Sequence, residues 1–266
     1  MTSGAKTPRL LIGSEWRETG RIKPVINPYT GEEFAQIPLG DAQTVDEAIK
    51  VAHEAFEVTR AQAPHARGDL LARVAHRIEE RRANFVETMI AEAGKPYTFA
   101  DAEVTRAVIT FTVAGEQARL QHGELLHIDA YAPGSGHFGL VRRFPLGVIS
   151  AITPFNFPLN LVAHKVAPGM ASGNTLVVKP ALKTPLTSLL LAEVLMECGM
   201  PPGQVNFVTC NHEDGTALMT DERIKMVSFT GSPDVGWQLK AQCGKKKITL
   251  ELGGNAGVIV HDDAVV

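Results

Sequence analysis

Apolar residues recur at helical spacing through Ala48, Ile49, Ala52 and Phe56, and again through Leu70, Leu71, Val74 and Ile78, so the chain to about Ala118 reads mostly as helix. Thr44-Val45-Asp46-Glu47 has the form of a capping box, with acids in the first turn where the helix dipole favours them. The second pattern is expected to continue to Ile90, closed by the stop signal of Gly94 and Pro96. A third helix is expected from Phe99 to Arg119. Between Gly123 and Pro145 two short strand-like pieces flank Pro133-Gly134-Ser135-Gly136, which predicts a protruding antiparallel hairpin arm. Such an arm has little core of its own and is stabler packed against another subunit.

From Leu146 the rhythm changes. Short, β-branched and nearly continuous apolar runs appear at Gly147–Ile152, Thr175–Val178, Val205–Val208, Met226–Phe229, Ile248–Leu250 and Val258–Val260. Runs of that kind predict strands buried on both faces. Helical patterns lie between several of them, among them Thr187–Cys198, closed by Gly199, and Pro233–Gln242. Alternating strand and helix predicts an α/β protein with a doubly wound parallel sheet, which binds ligands at the carboxyl ends of its strands.

Composition narrows the picture slightly. With 44% hydrophobic and 21% charged residues, the 266-residue chain has the make-up of a folded globular protein. A net charge of −3, and a richest basic run of only Lys245 to Lys247, give no sign of nucleic acid or acidic membrane as a partner. Met1–Gly20 holds no apolar run suited to a signal peptide, and no apolar stretch is long enough to span a membrane. Three scattered cysteines, Cys198, Cys210 and Cys243, argue for reduced thiols and a cytoplasmic protein.

A literal dinucleotide fingerprint, Gly134-Ser135-Gly136-His137-Phe138-Gly139, follows no predicted strand and opens no predicted helix, so it reads as a turn. Phe229-Thr230-Gly231-Ser232-Pro233 is a better phosphate site, because it follows an apolar strand and opens a helix. Taken alone it reads equally as an ordinary serine helix cap. Lys179 ends a buried strand and must reach solvent or a ligand. Asn156, stiffened between Pro154 and Pro158, is either an oxyanion donor or a turn-stabilising amide. Glu251, expected among apolar neighbours that raise its pKa, is a general-base candidate or a structural acid. No histidine has metal-ligand spacing, and His53-Glu54 misses the second histidine of a zinc motif, so no metal is expected.

Thr153-Pro154-Phe155-Asn156-Phe157-Pro158-Leu159, Val178-Lys179-Pro180-Ala181, Phe229-Thr230-Gly231-Ser232 and Leu250-Glu251-Leu252-Gly253-Gly254 together resemble, in order and spacing, the aldehyde dehydrogenase superfamily. Asn27-Pro28-Tyr29-Thr30-Gly31-Glu32 and Gly199 to Asn206 resemble it too. The resemblance implies a Rossmann-like cofactor-binding domain over 1–266, interrupted by an oligomerisation arm at 123–145, and NAD(P)-dependent oxidation of a small aldehyde by a homo-oligomer. It implies an oxyanion role for Asn156 and a general-base role for Glu251. It places Lys179 at the adenosine ribose, Gly231 and Ser232 at the pyrophosphate, and Thr153, Phe155, Gly215, Thr230 and Leu252 along the cofactor. Arg106 and His164 match helices that line the aldehyde tunnel, a hint of small polar or anionic aldehydes; each reads equally as a surface or packing residue.

Two departures from the family pattern matter. An acid that often marks NAD preference is replaced by Leu182, followed by Lys183, so NADP is expected to bind at least as well as NAD. The nucleophilic cysteine normally lies in a catalytic domain beyond the glutamate, and none of Cys198, Cys210 or Cys243 aligns with it. The sequence is therefore expected to end before that cysteine and to lack oxidation activity alone. It is read as part of a dehydrogenase, a non-catalytic NAD(P)-binding module, or a subunit completed in trans.

Overall fold

The computed structural model describes residues 8–121 and 123–265; the expected domain span of 1–266 otherwise falls on residues outside these. Its first elements are strands. β1 (Leu10–Ile12) pairs antiparallel with β2 (Glu15–Arg17), and β3 (Ile22–Ile26) pairs with β4 (Glu33–Pro38). The reading of this part as mostly helix holds from Ala42 onward but misses these strands, since strands of three to six residues are too short to show a reliable period.

Four helices follow: α1 (Ala42–Arg60), α2 (Pro64–Glu80), α3 (Arg82–Ala93) and α4 (Tyr97–Arg119). The box that starts α1 is Asp41 with Thr44, not Thr44 with Glu47; the Asp41 carboxylate accepts the Thr44 N–H at 2.8 Å. Aspartate, one residue before the helix, is the better acceptor for that orphan donor. Helix α2 does not run on to Ile90. It breaks at Arg81, whose guanidinium reaches Glu193 and Glu197, both at 2.9 Å. Gly94 ends α3 in the left-handed conformation, φ 63°, as its position predicts.

The arm is present. β5 (Glu124–Leu126) and β6 (Gly139–Val141) form an antiparallel pair joined through two short 3-10 turns. Leu125, Tyr131, Phe138 and Leu140 on it are exposed.

The remaining elements alternate: β7 (Val148–Ile152), α5 (Asn160–Ala171), β8 (Thr175–Lys179), α6 (Leu186–Glu197), β9 (Val205–Phe207), α7 (Ala217–Thr220), β10 (Ile224–Thr230), α8 (Pro233–Gln242) and β11 (Lys247–Glu251). They build a seven-stranded sheet in the order β11-β10-β7-β8-β9-β1-β2, parallel from β11 to β9, with β1 added antiparallel at Leu11↔Phe207. Val258, Ile259 and Val260 form no strand and are exposed, and β11 alternates exposed and half-buried residues instead of being covered on both faces. An apolar run marks a buried strand only where a layer covers it.

Alternation divides the sheet's side chains between two cores. Leu11, Leu176, Val178 and Phe207 pack with α2, α4, α5 and α6, whereas Leu10, Ile12, Val177 and Val227 pack with α1, α7 and α8. Each such aliphatic burial contributes about 1.5–3 kcal/mol at most. The chain leaves β7 toward β8 and β9, then returns to lay β10 on β7's other side. That reversal opens a crevice at the carboxyl ends of β7 and β10.

Candidate functional site

The register aligns the carboxyl ends of four neighbouring strands. Ile152 pairs with Lys179 on one side and with Phe229 on the other, and Thr230 pairs with Glu251. Thr153, Lys179, Thr230, Gly231 and Glu251, all singled out from sequence, therefore lie along one edge. The Thr153 N–H donates to the Lys179 carbonyl at 3.2 Å. Its hydroxyl is buried and has no partner among the described residues, a cost an added ligand would remove.

Helices α5, α6 and α8 begin at this edge, and their N-termini differ. Buried Glu103 on α4 accepts the Leu159 and Asn160 N–H groups of α5, each at 2.9 Å. Buried Glu92 on α3 accepts the Leu186 and Thr187 N–H groups of α6, at 2.7 and 2.9 Å. Both helix ends are thus filled by a carboxylate, which repels a phosphate. At α8 the cap is Ser232, whose hydroxyl makes no capping bond and is exposed. Its first-turn amides remain available to an anion. At Gly231 a Cβ would lie 2.5 Å from the Phe229 ring, so any larger residue there requires that ring to shift. Gly236, one turn into α8, is likewise filled from outside by Leu252, which would come within 2.4 Å of a Cβ.

Toward the other end of the edge, Gly215 is buried, with the Lys179 stem 3.4 Å and the Cys210 sulfur 3.3 Å from where its Cβ would be. Lys183 lies over the Phe155 ring at 4.8 Å, with both side chains exposed. Leu182 is half-buried against the larger core, a packing role that an acid would fill poorly.

Asn156 is exposed, and its carbonyl accepts from Lys95 at 2.9 Å. Lys95 also pairs with Glu103 and lies 3.9 Å over the Phe157 ring. Neither partner was visible in the sequence, because Lys95, in the link between α3 and α4, and Glu103, on α4, are remote from the turn they fasten. Glu251 is exposed on the edge strand, contrary to the expected apolar surroundings.

Lys165 on α5 was also missed. Its ammonium donates to Ser228 at 3.1 Å and Thr230 at 2.9 Å, and the Thr230 hydroxyl donates to Glu251 at 3.4 Å. Burial lowers its pKa to about 8, opposed only in part by the Glu251 charge. Next to it, burial and then the Arg106 guanidinium lower the His164 pKa. Arg106 in turn lies 5.4 Å over Phe157, so the two substrate candidates belong to one cluster.

The literal glycine fingerprint lies in the arm, where Gly134 closes a 3-10 turn and Gly139 opens β6, so no helix follows it. The thiols are dispersed: Cys198 after α6, Cys210 beyond β9 and Cys243 after α8. Burial raises the pKa of all three, that of Cys210 to about 11. No helix among the described residues is long and apolar enough to cross a membrane.

The sequence profile of the aldehyde dehydrogenase family matches residues 16–266. A 3-sulfolactaldehyde dehydrogenase of Priestia aryabhattai is 37% identical over 257 residues, which cover 96% of this chain and 53% of that protein. The crystal structure of aldehyde dehydrogenase 21 from Physcomitrella patens, in complex with the reaction product succinate, superposes with a TM-score of 0.92 at 38% identity, covering 95% of this chain and 53% of that one. An NADP-dependent glyceraldehyde-3-phosphate dehydrogenase from Bacillus halodurans C-125, complexed with NADP, gives a TM-score of 0.91 at 34% identity, covering 94% and 53%. The chain spans about half the length of the curated relatives it matches.

Proposed function

The chain belongs to the aldehyde dehydrogenase family, whose members are NAD(P)-dependent oxidoreductases, and on that premise we propose that it holds NAD(P) for the oxidation of an aldehyde to a carboxylic acid. One observation carries this reading: of the three helices starting at the site, α5 and α6 are already capped by Glu103 and Glu92, whereas α8 offers its amides behind Gly231. The dinucleotide's phosphates belong at Gly231 and Ser232. Thr153, Phe155, Lys179, Leu182, Lys183, Gly215, Thr230 and Leu252 line the rest of the cofactor. The nicotinamide supplies the hydride acceptor.

The chain's own residues do the remaining work. The Asn156 amide donates to the aldehyde oxygen as negative charge develops there. The Glu251 carboxylate takes a proton from the attacking nucleophile or water. Arg106, beside His164, supplies a positive charge suited to a small anionic aldehyde, in keeping with a relative named for 3-sulfolactaldehyde and another holding succinate. Residues 1–266 act as one cofactor-binding domain, and the arm at 123–145, apolar and exposed, joins subunits into a homo-oligomer.

A second reading, in which the chain binds NAD(P) without oxidising aldehydes or is completed by a cysteine from another polypeptide, is favoured by the raised pKa of all three thiols. Calorimetric titration with NAD and NADP tests the shared claim. Saturable binding that Gly231→Val abolishes is expected; no binding of either nucleotide overturns both readings.

A further inference from the structure

The turn that carries Asn156 is fastened along its length, and most of the fastenings lead to one ion pair. The Phe155 carbonyl accepts from the Thr184 hydroxyl at 3.2 Å, and the Pro158 carbonyl from Ser188 at 3.4 Å. Glu103 accepts the N–H groups of Leu159 and Asn160, each at 2.9 Å. Its partner Lys95 donates to the Asn156 carbonyl at 2.9 Å and lies 3.9 Å from the centre of the Phe157 ring. An ammonium has three N–H donors and is attracted to an aromatic face. A carboxylate, a carbonyl and a ring therefore share the charge of Lys95. The lysine is held in turn by its own backbone. It stands between Gly94, left-handed at φ 63°, and Pro96, at φ −58°. Its side chain is 12% exposed and that of Glu103 0%, so the bonds they make are stronger than the same bonds in water.

We propose that Lys95 is a positioning residue for the aldehyde reaction: without touching the substrate, it aims the Asn156 amide at the oxygen on which charge develops. The role of that amide rests on the proposed function above; the hold on it is read from the geometry. Thr184 fixes the peptide plane before Asn156, and Lys95 fixes the plane after it. With both planes held, the Cα–Cβ bond of Asn156 has one direction, and the exposed amide keeps only its own side-chain torsions. A donor for a developing charge is effective to the extent that it does not have to reorganise when the charge appears. Of the two holds, only that of Lys95 is charge-assisted, and Glu103 ties it to the start of α5. The phosphate address at Gly231 and Ser232 belongs to a different strand and helix, so loosening Lys95 turns the amide and leaves nucleotide binding as it was.

The test compares the native chain with Lys95→Arg and with a double variant, Lys95→Met with Glu103→Gln. The double variant leaves no charge unpaired, and the glutamine still accepts from Leu159 and Asn160, so the fold is kept while the hold on Asn156 is lost. The Phe157 N–H lies in the same peptide plane as the Asn156 carbonyl, so its nitrogen relaxation in magnetic resonance reads the hold directly. The Asn156 side-chain amide reads the consequence. In the double variant the Phe157 order parameter is expected to fall from about 0.85 to below about 0.6, with a parallel loss at the Asn156 amide. Lys95→Arg, which keeps the charge, is expected to retain the native values, as are the side-chain amides of Asn174 and Asn206 in every variant. Unchanged order at Phe157 and Asn156, or a loss that extends to Asn174 and Asn206, overturns the proposal. Calorimetry with NAD and NADP on the same samples keeps the two readings apart. The double variant is expected to bind as the native chain does, and binding about ten-fold weaker would make Lys95 part of the nucleotide site and overturn its positioning role. If the native chain binds neither nucleotide, the cofactor reading falls and the relaxation result alone decides on Lys95.

Discussion

Glu103 accepts the backbone N–H of Asn160 at 2.9 Å, and through that contact helix α4 fixes the start of α5 and the turn before it. The same carboxylate holds Lys95, which holds the Asn156 carbonyl. Glu103→Ala leaves two buried backbone donors without partners and takes the carboxylate from the half-buried Lys95 ammonium, which keeps only the Asn156 carbonyl, so a loss of about 3 kcal/mol is expected in urea denaturation. Glu103→Gln keeps an acceptor and should cost less. Equal losses for the two variants would show that the carboxylate is not what the turn depends on.

Burial pushes the Glu92 carboxyl up to about 7, against hydrogen bonds from Thr187 and Leu186 that favour its charged form. A folded pKa above the ordinary value of 4.5 means that the fold takes up a proton in this window. The stability contributed is complete below about 4.5 and is lost as the pH rises through about 7. Glu92→Gln cannot titrate. The advantage of the native chain over this variant should shrink from pH 5 to 8, by at most about 3 kcal/mol. A constant difference across that range contradicts the assignment.

Gly231→Ala places a methyl 2.5 Å from the Phe229 ring, so the strand end must shift. A cost of about 1–3 kcal/mol is expected in thermal unfolding, together with weaker NAD(P) binding. Phe229→Leu in the same chain should recover part of both losses, because it removes the atom that collides. Full stability of Gly231→Ala on its own would refute the packing argument.

Leu182 and Lys183 bear on the choice of cofactor. With no acid at 182 and a lysine beside it, NADP should bind at least as tightly as NAD. Leu182→Glu brings a negative charge near the 2′-phosphate and should weaken NADP by about ten-fold while sparing NAD. Isothermal titration of both nucleotides decides, and a ten-fold preference of the native chain for NAD would reverse the prediction.

Of the strands that carry the site, β7 and β8 are legible because they are covered on both faces and read as nearly continuous apolar runs, whereas β10 alternates buried Val227 and Phe229 with half-buried Met226, Ser228 and Thr230. Val258–Val260 has the same composition without a covering layer, and the sequence does not record which case applies. β1 was illegible for another reason: three residues paired with the three of β2 are too short to show a period, and β1 joins the main sheet through Phe207, far along the chain. The site divides in the same way. Thr153, Lys179, Gly231 and Glu251 sit next to strand ends that can be recognised locally. Lys165 has no local mark of its place in the site, since the hydroxyls it bonds lie more than sixty positions away. Glu92 and Glu103 carry no local mark in the sequence, because the backbone donors they satisfy belong to other helices.

Those two acids also give the fold a direction in time. The acceptor always precedes its donors in the sequence, Glu92 before Leu186 and Glu103 before Leu159. On the ribosome, where chain emerges N-terminal end first at about 5–20 residues per second, α3 and α4 wait with their carboxylates hydrated. Hiding either carboxylate early would strand a charge away from water, so these faces close only when α5 and α6 arrive.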